Sequence, residues 1–273
     1  GGSREYTGAP ALAAMGALRV GAGLACIAAP VSALPAIAAI AAEPTYTALA
    51  EVDGGIGEVD TGRLRELVEG ATSIVVGPGL GRRPATAEFL QALCAAVGEL
   101  GRPLLVDADA LTLLAGIPEW WRVLPAGSVL TPHPGEMRRL LGPNGEGGLN
   151  RIELARDRAV AWGQVVVLKG ACTVVAKPDG EATVSPFATP ALATGGSGDV
   201  LAGAIAGLMA QGLTPYDAAR AGVYLHGLAG ALAEREIGSS GVVAGDVLAR
   251  LPQAMALVRA GQVPCAASTR IGR

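Results

Sequence analysis

The sequence predicts an α/β fold with three layers, in which a mostly parallel central sheet carries helices on both faces. Strand-like and helix-like segments alternate along most of the 273 residues, which is the order that parallel strands joined by helices produce. The strand-like segments are apolar almost throughout, as strands buried on both faces are. No charge run, repeat or Pro/Ser-rich linker divides the chain. We therefore expect residues 1–273 to form a single domain.

Each element follows from a local pattern. Short apolar runs bounded by loops predict strands at residues 24–28, Ile74–Val76, Leu104–Val106, Val129–Leu130, Val165–Leu168 and 173–176. Helical periodicity, with capping and stop residues, predicts helices at residues 84–97, 150–162, 198–210, 214–236 and 246–258. A Pro-Asp-Gly turn at residues 178–180 predicts a hairpin that ends in the strand Ala182–Val184. The tail beyond Gly261 is expected to be loose.

Composition excludes several classes of function. The net charge of −3 argues against a nucleic-acid partner, because binding to a phosphate backbone needs a basic face. Residues 24–42 carry no charge, but they are mostly alanine and contain Pro30 and Pro35. This favours a buried strand and a short buried helix over a membrane span. Four separated cysteines without a CxxC pair indicate reduced thiols in the core, which fits the cytoplasm.

Polar or glycine-rich loops follow four of the predicted strands, at the point where each strand ends. They are GPGLG at residues 77–81, DAD at 107–109, TPHPGE at 131–136, and Lys169-Gly170. In an open parallel sheet the carboxyl ends of the strands share one edge, where ligands bind. One such loop alone would be interpreted as an ordinary turn. Four of them at one edge predict a ligand-binding crevice.

The strongest single signal is ATGGSGDVL, at residues 193–201. Gly195, Gly196 and Gly198 let backbone N–H groups approach a phosphate without Cβ clashes. The apolar run that follows begins a helix, whose amino end adds partial positive charge. Asp199 then has two interpretations: a favourable carboxylate in the first helical turn, or a base beside the transferred phosphate. The glycine cluster favours the base.

Other phosphate-binding motifs are missing, since no glycine is followed by lysine and GPGLG has GxGxG rather than GxGxxG spacing. His133, which lies between two prolines, is predicted to contact a ligand from a rigid loop. His226 lies in an apolar helix and is predicted to be a core residue. Asp107 and Asp109 have two equally weighted interpretations: they position metal-bound water, or they cap the next helix.

At these motifs the chain resembles a known family. The run TPALATGGSGDVLAG from Thr189 is similar to the anion-binding motif of ribokinase-like enzymes, and above all to the ADP/ATP-dependent NAD(P)H-hydrate dehydratases. The resemblance covers almost the whole chain and includes YTGAPALAAMGALRVGAGL from Tyr6, GPGLG, TPHPGE and VVLKGACTVV from Val166. GPGLG and TPHPGE separate this family from sugar and vitamin kinases of the same fold.

The resemblance implies a ribokinase-like fold and a set of site residues. The adenine nucleotide would be held by Lys169, Gly170, Ala171, Cys172 and Thr173, together with Thr189, Thr194, Gly195, Gly196, Ser197 and Gly198. The hydrated nicotinamide would be lined by Ala9, Gly79, His133 and Asp199, with Asp199 as the catalytic base. No residue is assigned as a protein ligand to a metal. The implied reaction is dehydration of the 6S hydrate of NADH or NADPH, driven by Mg²⁺ and ADP or ATP.

Further expectations follow from the same resemblance. The family's bacterial members favour ADP, related enzymes are commonly homo-oligomers, and an epimerase domain precedes the dehydratase in many bacteria. Many members carry Asn where this chain has Thr189, and an apolar strand before the segment that corresponds to Gly1-Gly2-Ser3. The alternative functions are a ribokinase-like kinase of a small alcohol or vitamin precursor, which does not explain TPHPGE, and a nucleotide sensor, which the intact GGSGD disfavours.

Overall fold

The computed structural model describes residues 1–57, 60–142 and 150–262. Its helices are α1 (Gly8–Arg19), α2 (Leu34–Ile40), α3 (Thr61–Glu69), α4 (Pro84–Leu100), α5 (Ala108–Leu114), α6 (Pro134–Leu141), α7 (Arg151–Trp162), α8 (Ser197–Ala210), α9 (Pro215–Ile237) and α10 (Ala244–Arg259). Its strands are β1 (Cys26–Pro30), β2 (Thr45–Leu49), β3 (Glu51–Val52), β4 (Gly55–Ile56), β5 (Ile74–Val76), β6 (Leu104–Val106), β7 (Val129–Leu130), β8 (Val165–Leu168), β9 (Val174–Ala176) and β10 (Ala182–Val184).

Six strands form the main sheet, in the order β10-β9-β8-β7-β6-β5. Strands β5 to β8 are parallel, and β9 and β10 add an antiparallel edge. The prediction of an α/β fold with a mostly parallel sheet is therefore confirmed. The expected hairpin is present, with Gly180 at φ 88° in the turn, a backbone conformation that favours glycine.

Helices cover both faces of this sheet, because side chains alternate along each strand. Leu105 of β6 packs on one side, in a core built largely from α8, α9 and α10. Its neighbours Leu104 and Val106 pack on the other side, against α3, α4 and α5. The molecule thus has the three layers that the sequence predicted.

Several predicted boundaries shift. Strand β1 is Cys26–Pro30 rather than residues 24–28, and α10 begins at Ala244 rather than at residue 246. Helix α4 continues past residue 97 to Leu100 and ends where Gly101 adopts a left-handed conformation, φ 62°. Helix α8 begins at Ser197 rather than at Gly198. Thr173 lies outside β9, because its hydroxyl donates to the carbonyl of Gly170 and closes a turn. Of the predicted loose tail, residues 263–273 lie outside the described residues.

The segment at residues 24–42 differs most from its prediction. It forms strand β1 and helix α2. Helix α2 is not buried, because Ile37 is the one buried residue within it. Ile40 at the end of α2, and Val31 before its start, are each 58% exposed. The short helix packs on the rest of the chain through one stripe, so its other sides face outward. Cys26 is also exposed, whereas Cys94 lies in the core as expected. Among the described residues, no helix is long and apolar enough to cross a membrane.

Strands β1 and β2 form a parallel pair that is separate from the main sheet. A cavity of about 540 Å³ lies between β1 and β5, and its walls are mostly apolar. Gly1 and Gly2 lie at its end: the amino group of Gly1 donates to the carbonyl of Ala28 in β1, and the N–H of Gly2 donates to the carbonyl of Pro78, just after β5. Consecutive residues thus pair with opposite sides of the cavity, as a strand between two strands does.

Candidate active site

The four loops that follow β5, β6, β7 and β8 meet at one edge of the sheet. A Cβ added at Gly77 would lie 1.8 Å from the carbonyl oxygen of Asp107, so only glycine permits this approach. The N–H of Gly81 donates to Asp109 Oδ2 at 3.0 Å. The N–H of Lys169 donates to the carbonyl of Pro132 at 2.9 Å. The predicted crevice is therefore present.

Lys169 lies at the centre of this crevice. Its Nζ donates to Asp107 Oδ1 at 2.7 Å and lies 3.9 Å from Glu136 Oε2. It also lies 3.3 Å from the position that a Cβ on Gly198 would take, which places Lys169 and the start of α8 side by side. Burial acts to lower the pKa of Lys169, but the carboxylates of Asp107, Glu136 and Asp199 outweigh burial and raise that pKa above its usual value. Lys169 is therefore a buried, fixed positive charge.

Asp199 lies in the first turn of α8, beside this ammonium group. Burial, and then the neighbouring charge of Asp107, raise the pKa of Asp199 to about 7, although Lys169 opposes the change. No side chain in the described ranges hydrogen-bonds the Asp199 carboxylate. A carboxylate that is partly buried, unpaired by hydrogen bonds and half-protonated near neutral pH has the properties of a general base.

The glycine-rich segment turns sharply into α8. Gly196 has φ 86° and precedes the first helical residue, Ser197. The N–H of Ser197 donates to the carbonyl of Thr194. The N–H groups of Gly198 and Asp199, in the first helical turn, have no partner within the helix, so they can bind an anion.

The loop at residues 169–173 is held by Arg151, at the start of α7. Its guanidinium donates to the carbonyls of Leu168 at 3.0 Å and Lys169 at 3.2 Å, and also to that of Ala171. The N–H of Cys172 donates to the carbonyl of Phe187. These contacts join the predicted nucleotide loop to the segment that leads to the glycine-rich turn.

His133 caps α6 with its side chain. Its Nδ1 accepts hydrogen bonds from the N–H groups of Gly135 and Glu136, while the Glu136 carboxylate accepts from the N–H of His133 at 2.8 Å. Burial, followed by the charge of Lys169, lowers the pKa of His133, so the ring is neutral at pH 7. Because Nδ1 accepts, the proton lies on Nε2. The ring is half exposed, and its Nε2 lies 3.5 Å from Glu136 Oε1.

Two other predicted substrate residues are neighbours. Gly79 has φ 62°, and a Cβ added there would lie 3.3 Å from Ala9 Cβ. Thr189 lies farther along the nucleotide side, where its hydroxyl donates to Glu234 Oε2 at 2.6 Å and accepts from the N–H of Ala191. The contacts of these residues with the nicotinamide and the nucleotide stay predictions.

Some expectations about single residues need correction. Neither Asp107 nor Asp109 caps α5 with its side chain: Asp107 binds Lys169, and Asp109 binds the N–H of Gly81 and the side chain of Arg82. The carboxylate of Asp107 bonds the Lys169 ammonium rather than a backbone N–H of α5, because a charge-assisted hydrogen bond is stronger than a helix-capping hydrogen bond. His226 is buried as predicted, but it also hydrogen-bonds Ser197.

Sequence reasoning gave no separate role to Glu136, Arg151 or Glu234. Glu136 could have been found, since His133 and Glu136 have the three-residue spacing of a capping box. Arg151 and Glu234 have no such local signal, because their partners lie 17 to 20 and 45 residues away in the sequence.

The chain is similar to proteins of a known family. The family model described as NAD(P)H-hydrate dehydratase matches residues 1–253. The chain belongs to the NAD(P)H-hydrate dehydratase family. It is 44% identical, over 92% of its length, to the bifunctional NAD(P)H-hydrate repair enzyme Nnr of Moorella thermoacetica, of which it covers 47%. The chain thus spans about half the length of the curated relatives it matches.

Solved structures of related proteins have the same fold. The ADP/ATP-dependent NAD(P)H-hydrate dehydratase from Bacillus subtilis, co-crystallised with ATP/Mg²⁺, is 30% identical with a TM-score of 0.74, over 93% of this chain and 86% of that one. A ribokinase-like superfamily protein from Enterococcus faecalis is 28% identical with a TM-score of 0.76, over 94% and 84%. The family and the ribokinase-like fold that the sequence motifs indicated are therefore confirmed.

Proposed function

We propose that this member of the family dehydrates the 6S hydrate of NADH or NADPH, with ADP or ATP as co-substrate. The observation that carries the proposal is Asp199, a carboxylate with a pKa of about 7 beside Lys169 and the amino end of α8. The base and the anion-binding groups thus lie where a hydroxyl and a terminal phosphate would meet. Membership of the family supplies the substrate class.

Each part of the crevice then has a proposed role. Asp199 takes the proton of the C6 hydroxyl as that oxygen forms a bond to the terminal phosphorus, and the bond to the leaving nucleotide breaks, releasing AMP or ADP. Elimination then breaks the C6–O bond, phosphate leaves with the electron pair of that bond, and C5 loses a proton to solvent, which forms the C5–C6 double bond of the dihydronicotinamide. Lys169 and the N–H groups of Gly198 and Asp199 stabilise the transferred phosphoryl charge. The remaining residues of the two predicted nucleotide segments, from Lys169 to Thr173 and from Thr189 to Gly198, hold the nucleotide.

The substrate side of the crevice is assigned to Ala9, Gly79, His133 and Asp199. Gly79 packs against the backbone of Tyr6 and near Ala9, and Ala9 and Gly79 would form one wall of the substrate site. The Nε2–H of His133 is a neutral donor, suited to a carboxamide or hydroxyl oxygen. All four contacts remain proposals.

The residues present fit Mg²⁺. Among the described residues, no group of three or more His, Cys, Asp or Glu side chains could hold a metal ion. Mg²⁺ commonly needs no such group, since it binds one or two carboxylates together with substrate phosphates and water. Asp107, Glu136 and Asp199 all act on Lys169, so three carboxylates surround one ammonium and leave excess negative charge. Glu136, together with the nucleotide phosphates and water, would hold the ion, which would neutralise phosphate charge when bound.

The test is a reaction mixture of the protein, ADP or ATP, Mg²⁺ and hydrated NADH or NADPH. We expect the dihydronicotinamide absorbance to return, with one phosphate released for each molecule restored. The alternative, a ribokinase-like kinase, would instead produce a stable phosphate ester from a small alcohol. Recovery of absorbance without nucleotide consumption, or a stable ester, would contradict the proposal.

The wider organisation is also proposed. The supporting observations for a homo-oligomer are the exposed apolar side chains of Val31 and Ile40, and light scattering would test it. The bifunctional names of the relatives support an association with an epimerase, by fusion or pairing, and reduced thiols support the cytoplasm. We propose that the cavity between β1 and β5 accepts one further strand, which would join the two sheets of a single domain.

A further inference from the structure

Helix α9 contacts both ends of the segment that runs from Thr189 to Asp199, which we call the anion loop. Near one end of the loop, His226 Nε2 and Ser197 Oγ are 3.0 Å apart, and both side chains are buried. At the other end, Glu234 Oε2 accepts from the hydroxyl of Thr189 at 2.6 Å. His226 and Glu234 are eight residues apart, which is about 12 Å along the helix axis.

Two glycines between these side chains bring the anion loop, and Phe187 just before it, close to α9. A Cβ added at Gly227 would lie 2.3 Å from the ring of Phe187, and one added at Gly230 would lie 2.5 Å from Leu192 Cδ2. Positions 226, 230 and 234 recur at four-residue spacing and therefore lie along one side of the helix. The anion loop is thus seated on one face of α9, with a hydrogen bond near each end.

The hydrogen bond between His226 and Ser197 determines which polar groups of the anion loop can still bind a ligand. The N–H of Ser197 already donates to the carbonyl of Thr194, and the Ser197 hydroxyl is turned inward to His226. Ser197 is therefore fixed to the protein by its backbone and by its side chain. The next N–H groups, of Gly198 and Asp199, are held facing the crevice at the start of α8.

We propose that His226 and Glu234 are positioning residues, which act through Ser197 and Thr189 to fix the anion loop and thereby set nucleotide affinity without touching the nucleotide. This rests on the proposed function, in which the anion loop binds ADP or ATP. Burial lowers the pKa of His226 to about 4, so the ring is neutral and bonds Ser197 across the physiological range.

The variants are chosen so that loss of the hydrogen bond is separated from loss of core packing. His226→Leu removes the bond and keeps an apolar side chain, and His226→Gln keeps a hydrogen-bonding group near Nε2. Leu228→Ala is the matched control, since Leu228 is a buried residue of the same helix on another side of it. Glu234→Gln keeps an acceptor for Thr189, and Glu234→Leu removes it.

Two measurements are made on each variant: calorimetric affinity for Mg²⁺ with ADP or ATP, and hydrogen exchange at the amides of residues 194–199. We expect His226→Leu and Glu234→Leu each to weaken nucleotide binding about threefold to tenfold and to speed exchange in the loop. His226→Gln and Glu234→Gln should restore most of both. Leu228→Ala should lower Tm and leave both nearly unchanged.

A double variant tests the route of the effect. If His226 acts through Ser197, His226→Leu combined with Ser197→Ala should bind nucleotide no more weakly than the worse single variant. Fully additive losses, or a His226→Leu protein that has a lower Tm but parental affinity and exchange, would overturn the proposal. A parent chain that binds no adenine nucleotide would refute the proposed function, whereas the exchange measurement would still decide whether His226 and Glu234 fix the loop.

Discussion

The carboxyl-end crevice and the cavity between β1 and β5 are opposite in how their polar groups are arranged. In the crevice, the buried Asp107 and Glu136 and the half-buried Lys169 and Asp199 are gathered together, at the cost of desolvation. Between β1 and β5 the walls are mostly apolar, and the polar groups at its end are the amino group of Gly1 and two backbone carbonyls. Burying charged groups costs free energy, so folding alone does not explain the charged groups of the crevice. Protein cores are close-packed, so folding alone does not explain the empty space between β1 and β5.

This contrast separates two kinds of expected effect. Removing the unpaired carboxylate of Asp199 in the crevice should alter rates and affinities and leave the stability equal or higher, as is common where function is placed at a cost to folding. Changes at the cavity should alter stability and leave the chemistry alone. A residue that violates this division would show that the two regions are coupled.

The largest effect is expected for Asp199→Asn. The substitution keeps nearly the same volume but removes the proton acceptor, so turnover should fall by about 10²–10⁴-fold. Nucleotide affinity should persist or rise, because a negative charge near the phosphates is lost. Steady-state dehydration kinetics and nucleotide calorimetry measure the two quantities, with Asp157→Asn on the exposed surface of α7 as the control. Turnover at the parental level would remove Asp199 from the mechanism.

The pH dependence of turnover is a second test of Asp199 as the general base. With a pKa of about 7, Asp199 is ionised only at and above neutral pH, so the rate should rise as the pH increases through about 7. The rise should be absent from the residual rate of Asp199→Asn. A parental rate that is flat between pH 6 and pH 8 would contradict the role of base.

At the cavity, a short apolar extension of the amino end is expected to stabilise the protein. A β-branched segment of four residues attached to Gly1 would pair with β1 and β5 and bury its side chains in the cavity. A gain of about 2 kcal/mol would raise Tm by about 4–8 °C in a domain of this size. A Gly-Ser extension of equal length is the control. Equal Tm values for the two extensions would show that the cavity accepts no strand.

The sequence predicted the strands that lead to the crevice better than it predicted the contacts between distant elements. Strands β5 to β8 were predicted with their observed ends, because continuous apolar runs between polar loops leave little choice of boundary. Their parallel direction placed Lys169 and the other three loops at one edge, and the glycine cluster together with the resemblance assigned Asp199 to the same crevice. The bond of His226 to Ser197 was not predicted, since it joins residues 29 positions apart through the packing of α8 on α9. The exposure of α2 was missed because its composition alone resembles a buried helix.

A smaller effect is expected in stability for Asp199→Asn. The pKa of this carboxyl is about 7 in the folded chain against an ordinary value of 3.8. Between those pH values the folded protein binds a proton that the unfolded chain does not, so the free energy of unfolding falls as the pH rises from about 4 to about 7. The variant should therefore be more stable than the parent at pH 8, by at most a few kcal/mol, and equal to it near pH 4. Denaturation at the two pH values measures this. A variant less stable than the parent at pH 8 would contradict the raised pKa.

The smallest effect is expected at His133, where two roles have to be separated. His133→Ala removes both the Nε2–H donor and the Nδ1 acceptor that caps α6, whereas His133→Asn removes the ring but keeps a good cap. If Nε2–H contacts the hydrate, both variants should weaken hydrate binding by about 0.5–1.5 kcal/mol, the value of one hydrogen bond, and leave nucleotide affinity unchanged. Only His133→Ala should also lower Tm. Calorimetry with each ligand, together with thermal unfolding, distinguishes the outcomes.

Full hydrate affinity in His133→Asn would mean that His133 only caps the helix. An equal loss for nucleotide and hydrate would mean that the loop at residues 131–136 serves the whole crevice rather than its substrate side.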